Sequence, residues 1–254
     1  MMFDAEKEVD YIVNFVREYY QNCGLKGAVV GVSGGKDSAV VLALLSKALG
    51  SENVVGVAMP CHSTKTDTDY AKIVCDYFGV KLFSVDLTSV FDTFTSSISE
   101  GFGAICVGNT RDSDINLKPR LRMSTLYYIA AMLTRSEGKG YLVAGTSNKC
   151  ELFVGYFTKG GDNVHDIALI SDFTVDEVIA IGEYLGVPSI VLHRPPSDGL
   201  SGVTDEEKLG VRYSEIADYI LDPNTVSDNA RDKIESLHNG SRHKFSVPTY
   251  RRNE

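Results

Sequence analysis

The stretch Gly27-Ala28-Val29-Val30-Gly31-Val32-Ser33-Gly34-Gly35-Lys36-Asp37-Ser38 is the part of the chain on which the fold turns. Its first six residues are apolar or glycine with no polar alternation, the pattern of a short strand buried on both faces. A glycine-rich turn follows, and residues 37–49 then space apolar side chains at helical intervals up to Gly50, which is suited to closing a helix. A strand, a tight turn and a helix in that order form the opening half of a crossover unit.

The same alternation extends to both sides. Val9, Ile12, Val13 and Val16 mark one face of a helix that Gly24 stops. Residues 53–59 and 80–85 read as strands, separated by a helix over 67–78 that ends at Gly79. Further on, the spacing predicts a helix over 119–134, a strand over 141–144 and a helix over 175–185 before Gly186 and Pro188. Strands alternating with helices need crossovers, and crossovers build a parallel sheet covered on both faces. The expected fold is a doubly wound α/β sheet with helices on both faces, in a single domain over residues 1–254. Residues 195–203, with Pro196, Gly199 and Gly202, have the length and composition of a lid loop.

Composition narrows the function classes. The chain has 254 residues, 43% of them hydrophobic, enough for one large α/β core. A net charge of −9 argues against sequence-independent nucleic-acid binding, which needs a basic face. The longest apolar runs are far shorter than a bilayer span, and the acidic start of the chain is unlike a signal peptide, so neither membrane insertion nor export is expected and the cytoplasm is the expected location. The five cysteines, Cys23, Cys61, Cys75, Cys106 and Cys150, include no C-x-x-C pair, so ordinary buried thiols are expected rather than a disulfide framework or a zinc site.

The turn itself carries chemistry. Small residues let backbone N–H groups converge on an anion, and the helix beginning near Asp37 adds its positive end, so phosphate is the natural guest. A Walker loop fails on spacing, because Val30 stands where its first glycine belongs and Asp37 where Ser or Thr should follow the lysine; a G-x-G-x-x-G fingerprint is absent as well. A plain connecting turn would explain the glycines and would make Asp37 and Ser38 ordinary helix starters. Two glycines, two hydroxyls and a carboxylate exceed what such a turn requires.

Ser33-Gly34-Gly35-Lys36-Asp37-Ser38 resembles the S-G-G-x-D-S loop of the ATP pyrophosphatases, which implies cleavage of ATP between its α- and β-phosphates. The later blocks point to one branch. Asn116-Leu117-Lys118-Pro119-Arg120-Leu121-Arg122-Met123 resembles the N-x-x-A-R-x-R-M segment of the NAD synthetases. Gly145-Thr146-Ser147-Asn148-Lys149-Cys150-Glu151 and Phe157-Thr158-Lys159-Gly160-Gly161-Asp162, followed by Asp166, are similar to that family's G-T-x-N-x-x-E and F-T-K-x-G-D blocks. Thr204-Asp205-Glu206 with Leu209-Gly210, and His243-Lys244 ahead of Pro248, match its C-terminal third. Together they span Gly31 to Pro248, and the chain resembles the ammonia-dependent NAD synthetases.

The resemblance implies an ATP site at Gly31, Val32, Ser33, Gly34, Gly35, Lys36, Asp37, Ser38, Thr146 and Ser197. It implies deamido-NAD contacts from Arg120, Lys159, Asp166, His243 and Lys244, and Mg²⁺ on Asp37 and Glu151. Asp37, Glu151 and Asp162 would be catalytic, Asp162 by orienting or deprotonating the incoming ammonium. ATP would activate the nicotinate carboxylate, ammonia would displace AMP, and the family's habit is a homodimer. Taken singly, Glu151 reads equally as a solvated carboxylate, His243 as a surface histidine, and the arginines as partners of surface acids.

The chain departs from the family's pattern in three places. Pro119 replaces an alanine; a proline belongs in a helix's first turn, which would set Arg120 at a helix N-terminus, where a cation needs a facing anion. Val175 stands where many members carry a lysine that reaches ATP, leaving that contact missing or supplied elsewhere, with Lys36 as the candidate. Pro196-Ser197-Asp198-Gly199-Leu200 departs from the family's P-T-A-D-L loop while keeping a hydroxyl at Ser197. The competing readings are another ATP pyrophosphatase, of tRNA-thiolating or GMP-forming type, and a nucleotide-binding module without catalysis.

Overall fold

The structure is a computed structural model that describes residues 3–63, 65–102, 111–194 and 204–252. Ser197, the lid-like loop 195–203 and Cys106 lie outside the described residues.

Helix α1 (Ala5–Cys23) starts on an Asp4 cap that accepts from the Lys7 N–H and ends at Gly24, whose φ of 64° lies in the left-handed region. Then follow β1 (Leu25–Gly31), α2 (Lys36–Leu49), β2 (Val54–Ala58), α3 (Lys65–Phe78), β3 (Lys81–Ser84), α4 (Thr88–Phe102), α5 (Arg111–Glu137) and β4 (Gly140–Gly145). The remaining elements are α6 (Lys149–Val154), β5 (Ile167–Ala168), α7 (Val175–Leu185), α8 (Ser189–Leu192), α9 (Asp205–Leu209), α10 (Tyr213–Leu221) and α11 (Asp228–Ser241).

The strands form one parallel sheet in the order β3-β2-β1-β4-β5, with Val29 of β1 level with Val55 on one side and Val143 on the other. The chain winds outward from β1 through β2 to β3, then returns to the far side of β1 for β4. That reversal is the switch point of a doubly wound sheet, so the loops leaving β1 and β4 open side by side and form a crevice. On one face α2 is buried on nearly every side, from Ala39 to Leu45, beneath α1, α3 and α7. On the other face Val29, Val57 and Val143 pack against α5 and Phe91 of α4. Residues of α6, α10 and α11 close a third apolar cluster beside the sheet.

The expected fold class is observed, with two local corrections. Pro119 does not begin a helix: α5 starts eight residues earlier, at Arg111, and carries the proline inside it. An interior proline removes one backbone bond and crowds the carbonyl four residues back, which is why the sequence suggested a start there. Arg120 is therefore mid-helix, and the dipole argument for a facing anion does not apply to it. The second correction is Cys23, which is exposed at the end of α1, whereas Cys61, Cys75 and Cys150 are buried as expected. Burial pushes the thiol of Cys75 up to about 12 and that of Cys150 up to about 11.

Helix α4 escaped the sequence reading because serine and threonine crowd it. Within the helix Thr93, Thr95 and Ser97 turn their hydroxyls back onto the carbonyls of Ser89, Phe91 and Thr93, which satisfies them locally.

Candidate active site

The loop after β1 is built from its own side chains. The Ser38 hydroxyl, buried at 2% exposure, donates to the Gly35 carbonyl at 3.0 Å, and the Ser33 N–H donates to Ser38 Oγ at 3.3 Å. Gly34 has a φ of 81°, and a Cβ there would lie 2.6 Å from the Asp67 carbonyl, so only glycine lets α3 approach the loop this closely. Gly35 then caps α2 with no side-chain bond, leaving the first N–H groups of the helix for a ligand.

Beside it, Asn148 caps α6 and organises the acids. Fully buried, it donates from Nδ2 to Asp37 Oδ1 at 3.1 Å, while its own N–H donates to Glu151 Oε2 at 3.1 Å and its Oδ1 accepts from the Glu151 N–H. One residue, through its side chain to Asp37 and its backbone N–H to Glu151, thus ties the loop after β4 to the start of α2 and holds two carboxylates at one place. Lys36 lies with them, its Nζ 3.1 Å from Asp37 Oδ2 and 5.9 Å from the Tyr213 ring centre. Burial and the charge of Asp37 push Glu151 well above the usual carboxylate range, against the pull of Lys36. Burial works against the charge of Lys36, but Asp37, Glu151 and Asp205 outweigh it and leave its pKa raised.

A cavity of about 350 Å³ opens over this group at the carboxyl ends of β1, β2 and β4. It is lined by Gly31, Val32, Ser33, Gly35, Lys36, Asp37, Thr146, Glu151 and Asp162, all expected site residues. Asp162 accepts the Thr158 N–H at 2.9 Å; its surface is open to the cavity, yet protein walls it on most sides, and that burial raises its carboxyl despite Arg122 and Lys244. Gly34 and Ser38 support the loop from behind rather than line the cavity.

Arg120, Lys159, Asp166, His243 and Lys244, expected to hold a dinucleotide, are not among the residues that line this cavity, and the first bonds they make are to the protein itself. Arg120 donates from Nε and Nη2 to the Lys159 carbonyl, Lys159 Nζ donates to the His243 carbonyl at 2.6 Å, and Lys244 Nζ donates to the carbonyls of Gly155 and Phe157 at 2.7 and 2.8 Å. The short 3₁₀ turn Arg242–Lys244 is docked by these bonds, and Phe245 packs edge-on to Phe157. Asp166 serves the sheet: it accepts the Val143 N–H at 2.8 Å and the Tyr127 hydroxyl at 3.0 Å. Val175 heads α7 and packs into the cluster that contains Tyr213.

Sequence reasoning passed over four residues that reach the cavity. Arg122, set aside in favour of Arg120, lines it and donates to the Met59 carbonyl at 3.2 Å. Arg194 reaches in to pair with Asp67 at 2.8 Å and stacks over Tyr70. Asp205, in a quoted block but given no role, accepts the Tyr156 hydroxyl at 2.8 Å. His165 is the fourth. Only the segment around Arg122 and the Thr204-Asp205-Glu206 block carried a signal that could have found them.

The chain matches the NAD synthase family model over residues 8–248. It is 38% identical to the NH(3)-dependent NAD(+) synthetase of Alkaliphilus oremlandii, with 98% of each chain covered. Among solved structures it resembles an NMN synthetase from Francisella tularensis, with a TM-score of 0.85, 30% identity and 98% and 99% of the two chains covered. It also resembles an NH3-dependent NAD synthetase from Campylobacter jejuni, with a TM-score of 0.79, 27% identity and 98% and 100% covered.

Proposed function

The chain belongs to the NAD synthase family, and we propose from that membership that it amidates the nicotinate carboxylate of deamido-NAD with ammonia and ATP. The observation that carries this reading is the joining of the phosphate loop to Glu151 through Asn148, beneath one cavity that also holds Asp162. A carboxylate is a poor acyl donor, so it is first adenylated; ammonia then attacks the acyl carbon and AMP leaves. The free N–H groups at the start of α2 receive phosphate oxygens, and Thr146 adds a hydroxyl at the neighbouring loop. Ser197, outside the described residues, belongs to this ATP set by resemblance alone.

Asp162, held above the ordinary carboxylate range on the cavity wall, suits a group that orients ammonium and takes its proton. Arg120, Lys159, Asp166, His243 and Lys244 are read as the dinucleotide side of the site. Their present bonds to carbonyls and N–H groups make them first of all a frame for it.

Asp37 and Glu151 fit Mg²⁺. Among the described residues no three His, Cys, Asp or Glu side chains converge as a ready-made metal cage, which suits an ion usually held by one or two carboxylates plus phosphate oxygens and water. The buried Tyr213 hydroxyl, whose neighbours include Glu151 and Asp205, has no hydrogen-bond partner among the described residues, and a coordinated water would supply one. Bound there, the ion would neutralise the departing pyrophosphate.

Two further parts of the reading concern assembly and location. Val90, Phe94, Ile98 and Phe102 of α4, with Tyr128 and Met132 of α5, are exposed apolar side chains, which supports a homodimer through that face. The free cysteines fit a reducing cytoplasm, and among the described residues no helix is long and apolar enough to cross a membrane.

The test is release of AMP and pyrophosphate by purified protein given ATP, Mg²⁺ and ammonium, with deamido-NAD and nicotinate mononucleotide compared as acceptors. Turnover with deamido-NAD supports the proposal. Preference for the mononucleotide, the substrate that the name of the Francisella relative points to, would replace the acceptor and keep the chemistry. Turnover with neither acceptor favours a GMP-forming or tRNA-thiolating relative, or a module without catalysis.

A further inference from the structure

Lys36 occupies a position that neither helix spacing nor helix electrostatics favours. It is the first residue of α2, where the positive end of the dipole disfavours a cation, and it is buried at 8% exposure. Adjacent helical residues diverge, so its approach to 3.1 Å from Asp37 Oδ2 is not supplied by the helix. It is supplied by the surroundings: Asp37, Glu151 and Asp205 attract the ammonium, and the Tyr213 ring covers it. Asp37 has its other oxygen on Asn148, and Glu151 has Oε2 on the Asn148 N–H. Oδ2 of Asp37 is therefore the oxygen that a divalent ion would need from this residue, and Lys36 holds it. The Tyr213 hydroxyl, without a partner among the described residues, marks a further polar position in the same cluster.

We propose that Lys36 is a built-in counter-ion of the acidic cluster, holding Asp37 Oδ2 until a divalent cation enters and then turning its ammonium to the phosphates of ATP. The inference rests on the reading of Asp37 and Glu151 as cation ligands. Charges at contact distance in a partly buried site interact more strongly than in water, so a resident ammonium weakens binding of metal alone. Nucleotide then offers the released ammonium a new partner, and metal and ATP help each other to bind. Lys36 is in this sense a specificity device, set against the bare ion and in favour of the ion with its nucleotide.

Mn²⁺ serves as the probe, titrated by electron paramagnetic resonance into the metal-free protein and its variants, with circular dichroism to confirm folding. Lys36→Met should bind Mn²⁺ alone about tenfold more tightly than the parent, and should bind ATP in the presence of EDTA more weakly. Lys36→Gln, which keeps a polar end, should do the same and serves if the methionine variant fails to fold. Lys208→Met is the control, because it removes a charge that sits 4.0 Å from Asp205 instead of one on Asp37, and it should leave Mn²⁺ binding unchanged. Unchanged Mn²⁺ affinity in both Lys36 variants, with Asp37→Asn abolishing binding, overturns the role of Lys36 and leaves the metal site standing. Equal tightening in Lys208→Met overturns it too, since bulk charge would then suffice. Parent-like Mn²⁺ binding by Asp37→Asn removes the metal site itself, and the inference with it.

Discussion

At the scale of single residues, the cavity is lined by acids, Glu151 and Asp162, whose pKa values the surrounding protein raises. Asp162 illustrates the sign of the effect. Its folded pKa lies above its ordinary value because of burial, so the folded state favours the protonated form, and ionisation destabilises the fold as pH rises through that raised value. Asp162→Asn can still accept the Thr158 N–H and carries no charge. It should be at least as stable as the parent at pH 8, with the advantage shrinking on acidification below the carboxylate range, while turnover falls by about 10²–10⁴-fold. Melting curves across pH beside an AMP-release assay check both halves, and a variant less stable at pH 8 than the parent contradicts the argument. Glu151→Gln should lower kcat by roughly 10²–10³-fold with little change in KM for the dinucleotide, because the Mg²⁺ it is proposed to hold would neutralise charge that develops in the transition state. Full turnover in that variant would take Glu151 out of the chemistry.

At the scale of elements, short helices are placed by their ends. α6 has six residues, too few to persist alone, and is held by the Asn148–Glu151 capping box at one end and by Gly155 at the other. Asn148→Ala removes the cap and also the bond to Asp37; it should destabilise the protein by about 1–2 kcal/mol in urea denaturation and lower kcat as well. A loss of stability without a loss of rate would confine Asn148 to a structural part. The C-terminal turn is the second case. Arg242, Lys244, Arg251 and Arg252 form a basic island on an acidic chain, and the bonds from Lys244 and to the His243 carbonyl dock its first part, while Val247 and Tyr250 beyond it are exposed. Deleting residues 242–254 should raise KM for deamido-NAD strongly and leave ATP binding nearly intact, because none of the described residues of this segment lines the cavity beside the glycine loop. A parent-like KM after truncation would reduce the tail to solvated charge.

At the scale of the whole molecule, the exposed apolar face of α4 and α5 is the feature a monomer has least reason to keep. Phe94→Glu should halve the molar mass measured by light scattering, and an unchanged mass would place any partner elsewhere. The sequence by itself determined the parallel α/β architecture, because Gly27-Ala28-Val29-Val30-Gly31 is too short for a helix and too apolar for a solvated strand, and because helical spacing follows it. It also determined the glycine turn that follows, because its two glycines, two hydroxyls and carboxylate are contiguous between Ser33 and Ser38. The course of α5 was hidden, since a proline inside a helix reads locally as a beginning. Which arginine enters the cavity was hidden for the same reason: Arg120 and Arg122 differ by their rotation about α5, and nothing local says which side faces the sheet. Arg194, Asp205 and Tyr213 come to Lys36, Asp37 and Asp67 from more than a hundred residues away. Their meeting depends on long-range burial around the switch point of the sheet, a decision made by the tertiary structure and written in no single stretch of the chain.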